Sequence, residues 1–199
     1  MERPRVVVAT RNEHKLRELG EILAGVVLEP LPAEVTLPLE EGETFAENAL
    51  AKARAAHRAT GRAAIADDSG IEARALGGAP GTRSARFAGP EASDEENLEL
   101  LLRRLDGAAD RGLAYVCVLA HVDEKGHEEL FEGRCEGTLA SEPRGSGGFG
   151  YDPGFVPDDT GPDDGRTMAE LSAAEKHAIS HRGRAARALA EVLSGRGGG

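Results

Sequence analysis

The stretch Arg5–Gly25, RVVVATRNEHKLRELGEILAG, decides the fold class. It opens with a β-branched run, Arg5 to Ala9, and crosses the polar TRN. Leu16, Leu19, Ile22 and Leu23 then lie on one helical face, with Gly25 as the stop. The spacing predicts strand, loop and helix. In such an α/β unit ligands bind at the loop after the strand, and the helix N-terminus beyond it offers unpaired N–H groups to an anion. Thr10, Arg11, Asn12, Glu13, His14 and Lys15 are therefore a candidate phosphate site.

Outward from this unit, Val26–Leu28 reads as a short strand. TFAENALAKARAAHRATG then reads as a firm helix, with Thr44 and Glu47 at capping-box spacing and Gly61 as its end. The strand Ala63–Ala66 follows and runs into the turn DDSG, Asp67 to Gly70. Adjacent carboxylates repel unless something cationic sits between or beside them. Taken singly, Asp67 and Asp68 also suit a turn or a helix cap. A Gly/Pro loop, LGGAPGTRSARFAG, leads to a second capping box, Ser93 with Glu96, and a helix ended by Gly107. LAYVCVLAHV and HEELFEGRCEGTL, joined by DEKG, read as a buried hairpin that would form the sheet of a second lobe. Beyond Ala140 the chain is irregular, with Asp158–Gly165 a mobile surface loop, until one helical stretch over SAAEKHAISHRGRAARALAEVL and a Gly-rich tail.

Composition narrows the function. The 199 residues suffice for one compact domain of two lobes. A net charge of -11 repels nucleic acid and anionic membranes, and 4% aromatics without Trp leave little to stack on single strands. The N-terminal apolar run is too short for a signal peptide, and no window approaches the ~20 apolar residues of a membrane span, so the chain reads as cytoplasmic. Cys117 and Cys135 are too few for a disulfide framework and read as buried free thiols.

GSGGFG (Gly145–Gly150) matches GxGxxG, but Tyr151, Asp152 and Pro153 stand where a dinucleotide site needs a helix to begin. Its alternatives are a flexible linker and, with Phe149 and Tyr151, an aromatic ligand loop suited to a planar base. His177 and His181 have a zinc-compatible spacing without a convincing third ligand, so structural roles outrank zinc. A Walker A sequence and a GxSxG elbow are both absent. Carboxylates at strand ends attract a hard cation such as Mg²⁺, and Lys15, Lys52, Lys176 and Arg182 supply charge that could neutralise a polyphosphate.

TRNEHK, GETFAENALAKA, IADDSG, LGGAPG, SARFAG, GFGYDPGF and EKHAISHRG, in this order, resemble the signatures of the inosine triphosphate pyrophosphatase family, over about Val6 to Leu193. The resemblance implies an elongated two-lobed α/β fold with a long central mixed β-sheet flanked by helices and the active site in the cleft between lobes. It implies one two-lobed domain, here 1–194, and a homodimer, while the Gly-rich composition of 195–199 predicts a disordered tail. The implied reaction is Mg²⁺-dependent hydrolysis of ITP, dITP and XTP, a small-molecule nucleotide substrate, to the monophosphate and pyrophosphate. Carried over by position, Thr10 to Lys15 would hold the triphosphate, and Asp68 would be the metal-linked general base beside Asp67, their repulsion offset by the metal. Ser69 would touch substrate. Lys52 would neutralise phosphate charge, and Phe149, Gly150, Tyr151, Asp152, Lys176, His181 and Arg182 would form the base and sugar pocket, with Phe149 stacking on the purine. The family's EETGxTF reads LEEGETF here, leaving either Glu40 or Glu41 as the further metal carboxylate, with Glu47 as an additional one. Two other readings of the same cleft are a Maf-type pyrophosphatase of different base choice and a regulatory nucleotide-binding module without turnover. GFGYDP and ISHRG weigh against the first, and intact Lys15, Asp67 and Asp68 against the second.

Overall fold

The structure, a computed structural model, describes residues 3–196. Its strands are β1 (Arg5–Val8), β2 (Val27–Pro30), β3 (Ala64–Ala73), β4 (Gly112–Val122), β5 (Glu128–Leu139) and β6 (Phe155–Pro157). They form one six-stranded mixed sheet in the order β2-β1-β3-β4-β5-β6. β1 runs parallel to both neighbours, Val7 opposite Ala64 and Val8 opposite Ile65, whereas β5 and β6 are antiparallel. A parallel strand covered on both faces reads as a continuous apolar run, which is why Val6, Val7 and Val8 do not alternate with polar residues.

The helices are α1 (Glu13–Ile22), α2 (Phe45–Thr60), α3 (Asp94–Arg104), α4 (Ala173–Ile179) and α5 (His181–Arg196). Both predicted capping boxes form: Thr44 and Ser93 accept from the Glu47 and Glu96 amides, and those glutamates return to the cap N–H groups. α2 closes on Gly61, whose φ of 67° places it in the left-handed region.

The chain divides into two compact units: residues through 68, 117–133 and from 182 onward, then 69–116 and 134–181. Val6, Val8, Leu19, Leu23, Ile65, Leu119 and Leu189 build the core of the first. Leu98, Leu101, Leu105, Leu113, Phe155 and Met168 build that of the second. The β4–β5 hairpin is not the sheet of one lobe, because residues 117–133 belong to the first unit and the outer ends of both strands to the second.

Two other expectations are corrected. DDSG is not a turn: β3 continues through Asp67–Gly70 to Ala73, because Ile71 and Ala73 are buried and the carboxylates find cations within the strand's surroundings. The C-terminal stretch is not one helix. Ser180, at ψ 153°, is extended and caps α4 through its N–H to the Lys176 carbonyl, so His177 and His181 stand on different helices and lose the i, i+4 geometry. Of the tail expected over 195–199, α5 includes residues as far as Arg196, and residues 197–199 lie outside the described residues. Among the described residues no helix is long and apolar enough to cross a membrane.

Candidate active site

Successive residues of a strand point to opposite faces, so β3 sends the neighbouring carboxylates of Asp67 and Asp68 to different partners. Asp67 is 2% exposed. Its Oδ2 lies 3.1 Å from Lys15 Nζ and accepts from Arg182 Nη2 at 3.1 Å and Nε at 3.3 Å. Arg182, itself 1% exposed, donates through Nη1 to Glu18 Oε2 at 2.5 Å. Lys15 and Glu18 are three residues apart on α1 and so share a face. The result is a buried row of alternating charge, Lys15, Asp67, Arg182 and Glu18. Burial pushes the Asp67 carboxyl up, but the charges of Lys15, Arg182 and Lys52 outweigh it and hold the group well below the carboxylate range. Burial alone would make Arg182 easier to deprotonate; Asp67 and Glu18 reverse this and keep it cationic.

Asp68 faces α2. The buried stripe of that helix is Phe45, Asn48, Ala49, Lys52, Ala53 and Ala56, apolar except for two residues, and both meet Asp68. Asn48 Nδ2 donates to Asp68 Oδ2 at 2.9 Å, and Lys52 Nζ lies 3.7 Å from Oδ1. The same ammonium donates to Glu40 Oε1 at 2.5 Å and to the Asp67 carbonyl at 2.7 Å. Asn48 Oδ1 accepts from the Gly42 N–H at 2.8 Å, and a Cβ on Gly42 would come within 2.7 Å of that oxygen. Gly42 thereby lets the Glu40 loop close onto the helix. Burial raises the Asp68 carboxyl; Lys52 opposes this, Glu40 adds to it, and the group ends above its ordinary value. Lys52 loses charge stability to burial and regains more from Asp67, Asp68 and Glu40.

Glu40, not Glu41, is thus the loop carboxylate that joins Lys52 and Asp68, while Glu41 is exposed. Glu47 is committed to capping α2, accepting from the Glu43 and Thr44 amides at 2.8 and 3.1 Å. Two hard oxygen donors, from Glu40 and Asp68, gather on one ammonium against their mutual repulsion. That donor set suits Mg²⁺, which takes one or two carboxylates and completes its shell with water and substrate phosphate. Among the described residues no three His, Cys, Asp or Glu side chains form a ready metal cage.

The candidate phosphate loop is differently employed than the open helix terminus expected. Asn12 caps α1, its Oδ1 accepting from the His14 and Lys15 amides at 2.9 and 3.2 Å, and Thr10 Oγ1 accepts from the Asn12 N–H. Those two helix-terminal donors are therefore occupied, and Lys15 carries the loop's positive charge. Arg11 turns away to the carbonyls of Leu31, Pro32, Ala33 and Val35, at 2.7 to 3.3 Å. Glu13 and His14 are exposed, and half-buried Ser69 follows Asp68 on β3.

In the second unit Asp152 is a buried hub. Its Oδ2 accepts from Lys176 Nζ at 2.7 Å and from the Phe149 N–H at 2.9 Å, and the Lys176 ammonium lies 5.1 Å from the centre of the Phe149 ring. Gly148, at φ 71°, permits this, since a Cβ there would reach within 1.9 Å of Asp152 Oδ2. Asp152–Gly154 form a short 3-10 turn rather than an α-helix, so the glycine run is no dinucleotide fingerprint. The Gly150 N–H donates to Asp94 Oδ2, and Tyr151 is buried with its hydroxyl on the Ser84 carbonyl at 2.7 Å. His181 is buried in this unit, and Arg182, which follows it in the motif, is assigned to the first unit, where it bonds Asp67 and Glu18. Sequence reasoning missed Asn48 and Glu18. The signal for Asn48 was a polar residue on an otherwise apolar helical stripe; for Glu18 it was only its spacing from Lys15.

The sequence pattern of the Ham1 family matches residues 6–192. The chain is 51% identical over 192 residues to a protein of Symbiobacterium thermophilum named dITP/XTP pyrophosphatase, covering 93% of this chain and 92% of that one. It is 49% identical over 199 residues to a Mycobacterium tuberculosis protein of the same name, covering 95% of each. The structure of a HAM1 protein from Coxiella burnetii superposes with a TM-score of 0.84 at 42% identity, covering 96% of this chain and 99% of that one. With the motif order, the mixed sheet and the full-length matches in agreement, the chain belongs to the Ham1 family.

Proposed function

We propose that the chain hydrolyses purine nucleoside triphosphates carrying a 6-oxo base, ITP, dITP and XTP, to the monophosphate and pyrophosphate, with Mg²⁺. The observation that carries this reading is the Asp67–Asp68 pair, one carboxylate held by Lys15 and Arg182 and the other oriented by Asn48 beside Glu40 and Lys52, in a chain that matches dITP/XTP pyrophosphatases along nearly its whole length.

In this reading Asp68 takes the proton of the attacking water as its oxygen forms a bond to the α-phosphorus, and the bond from that phosphorus to the bridging oxygen of pyrophosphate breaks. Asn48 fixes the orientation of the Asp68 carboxylate for this transfer. Lys15, anchored by Asp67, neutralises charge on the phosphate chain, with Thr10 to His14 as the rest of its loop and Ser69 touching the substrate. Lys52 steadies Glu40 and Asp68 and adds positive charge toward the phosphates. Bound by Glu40 and Asp68, Mg²⁺ supplies charge neutralisation and increases the acidity of coordinated water. Phe149 stacks on the base, and Gly150 to Asp152, Lys176 and His181 line its pocket. A cationic Lys176 can donate to a 6-oxo group, whereas the 6-amino group of adenine would leave it without an acceptor. The unit of action is a cytoplasmic homodimer, which sedimentation of the purified protein tests.

The deciding experiment is pyrophosphate release from ITP, dITP, XTP, GTP, ATP and CTP, with and without Mg²⁺. We expect ITP, dITP and XTP to exceed ATP by at least about tenfold in kcat/KM, and release to require the metal. Equal rates on ITP and ATP would refute the base assignment; binding without release under every condition would refute catalysis.

A further inference from the structure

We propose that Tyr115 is a positioning residue of the base pocket, orienting Asp152 through its hydroxyl and His181 through its ring. The proposal rests on the reading of Phe149, Asp152, Lys176 and His181 as that pocket. Tyr115 lies in β4, a strand buried along its whole length, and is itself 7% exposed. Its hydroxyl donates to Asp152 Oδ1 at 3.1 Å, while Oδ2 of the same carboxylate accepts from Lys176 and from the Phe149 N–H. A carboxylate held at both oxygens cannot rotate about its terminal torsion. Oδ2 therefore stays aimed at the ammonium and at the loop that bears the Phe149 ring.

The second contact is through the ring. Tyr115 and His181 are stacked, with centroids 4.6 Å apart and planes 4° from parallel, while Phe155 packs against Tyr115 at 4.8 Å and 56°. One side chain thus touches both arms of the pocket, the Asp152–Lys176–Phe149 group and the imidazole. Packing alone does not require a tyrosine here. Phenylalanine would fill the strand position and keep the stack, and a buried hydroxyl is unfavourable unless it is hydrogen-bonded. The hydroxyl stays a donor, because burial and the Asp152 charge both oppose its ionisation.

The test is Tyr115→Phe, alone and combined with Asp152→Asn, measured by steady-state kinetics on ITP and by calorimetric binding of IMP. Loss of a neutral donor from a charged acceptor predicts KM for ITP and Kd for IMP raised about fivefold to tenfold, against a kcat lowered no more than about twofold. The preference for ITP over ATP should shrink in the same proportion. Because Tyr115 acts through Asp152, adding Tyr115→Phe to Asp152→Asn should change KM and Kd less than about twofold further. A Tyr115→Phe enzyme with unaltered KM, Kd and preference, or effects that multiply in the double variant, would overturn the proposal. Wild-type protein that binds IMP but releases no pyrophosphate would refute the catalytic reading and leave the Kd comparison deciding on Tyr115. Wild-type protein that binds no IMP would refute both.

Discussion

Replacing Glu18 by glutamine tests whether burial, rather than hydrogen-bond length, sets the strength of the ion pairs in this chain. Arg182 is 1% exposed and meets Glu18 at 2.5 Å and Asp67 at 3.1 Å, so with Lys15 the group holds two positive and two negative charges. Glu18→Gln keeps an acceptor for the guanidinium but leaves one uncompensated positive charge. The guanidinium keeps a hydrogen bond with one ionised partner in place of two, at a partner side chain 13% exposed, so the loss is about 1–2 kcal/mol. For a chain of this size that lowers Tm by about 3–6 °C. Arg182→Leu would instead leave buried anions facing one another and should cost about 3–5 kcal/mol. Arg54 and Glu128 form an equally short pair, 2.6 Å at both guanidinium contacts, but their side chains are 45% and 36% exposed. Arg54→Ala should therefore move Tm by no more than about 2 °C. Calorimetric unfolding at pH 7 in low and high salt reads all three, with Glu18→Gln insensitive to salt and Arg54→Ala masked by it. Equal shifts for Glu18→Gln and Arg54→Ala would refute the reasoning.

Further outcomes follow from the same geometry. Asp68→Asn should lower turnover at least about a hundredfold in the pyrophosphate assay. Its Tm without metal should not fall, because burial and Glu40 already disfavour the Asp68 charge in the folded state. Asp67 acts in the opposite sense: a depressed carboxyl contributes stability that is complete above its ordinary 3.8 and disappears as pH falls from there through the lowered native value. Denaturant titrations should thus show a flatter acid-side decline for Asp67→Asn than for wild type. Cys117, pushed up to about 12 by burial first and by Asp67 next, should resist a thiol reagent at pH 8 until the protein is unfolded.

The α/β framework was legible because local signals agree with packing. The Val6–Val8 run, the two capping boxes and Gly61 each appear where their chemistry requires, and the motif order named the family. What escaped was decided by contacts distant in sequence. DDSG carries turn residues, and only Lys15, Lys52 and Arg182, brought from three helices, let β3 run through it. The break at Ser180 has no Gly or Pro to announce it, and Arg182 is separated from Asp67 by 115 positions. Asn12 could equally have left its helix terminus open, since a capping side chain and a bound anion answer the same unpaired amides.

The adjacent aspartates show why a single property, charge repulsion, predicts too little. Repulsion between neighbours suggested a metal as the remedy, yet the strand supplies one of its own by alternation: Asp67 goes to Lys15 and Arg182, Asp68 to Asn48 and Lys52. Cations surround Asp67 so closely that its proton affinity falls, and it becomes a fixed anchor for Lys15. Asp68 has one nearby ammonium shared with Glu40, so burial prevails and its proton affinity rises. A general base needs affinity for a proton, and an anchor needs the lack of it. Two identical side chains in succession acquire these opposite properties from the number of cations that reach each: Lys15 of α1, Arg182 of α5 and Lys52 of α2 all act on Asp67, whereas Asp68 shares Lys52 with Glu40. Lys52→Met, which removes an ammonium that acts on Asp67, Asp68 and Glu40, should therefore raise both aspartates, yet leave Asp67, still held by Lys15 and Arg182, ionised at neutral pH. Carboxyl resonances followed through a pH titration separate the two, and an Asp67 carboxyl protonated at neutral pH in this variant would refute Lys15 and Arg182 as its anchors.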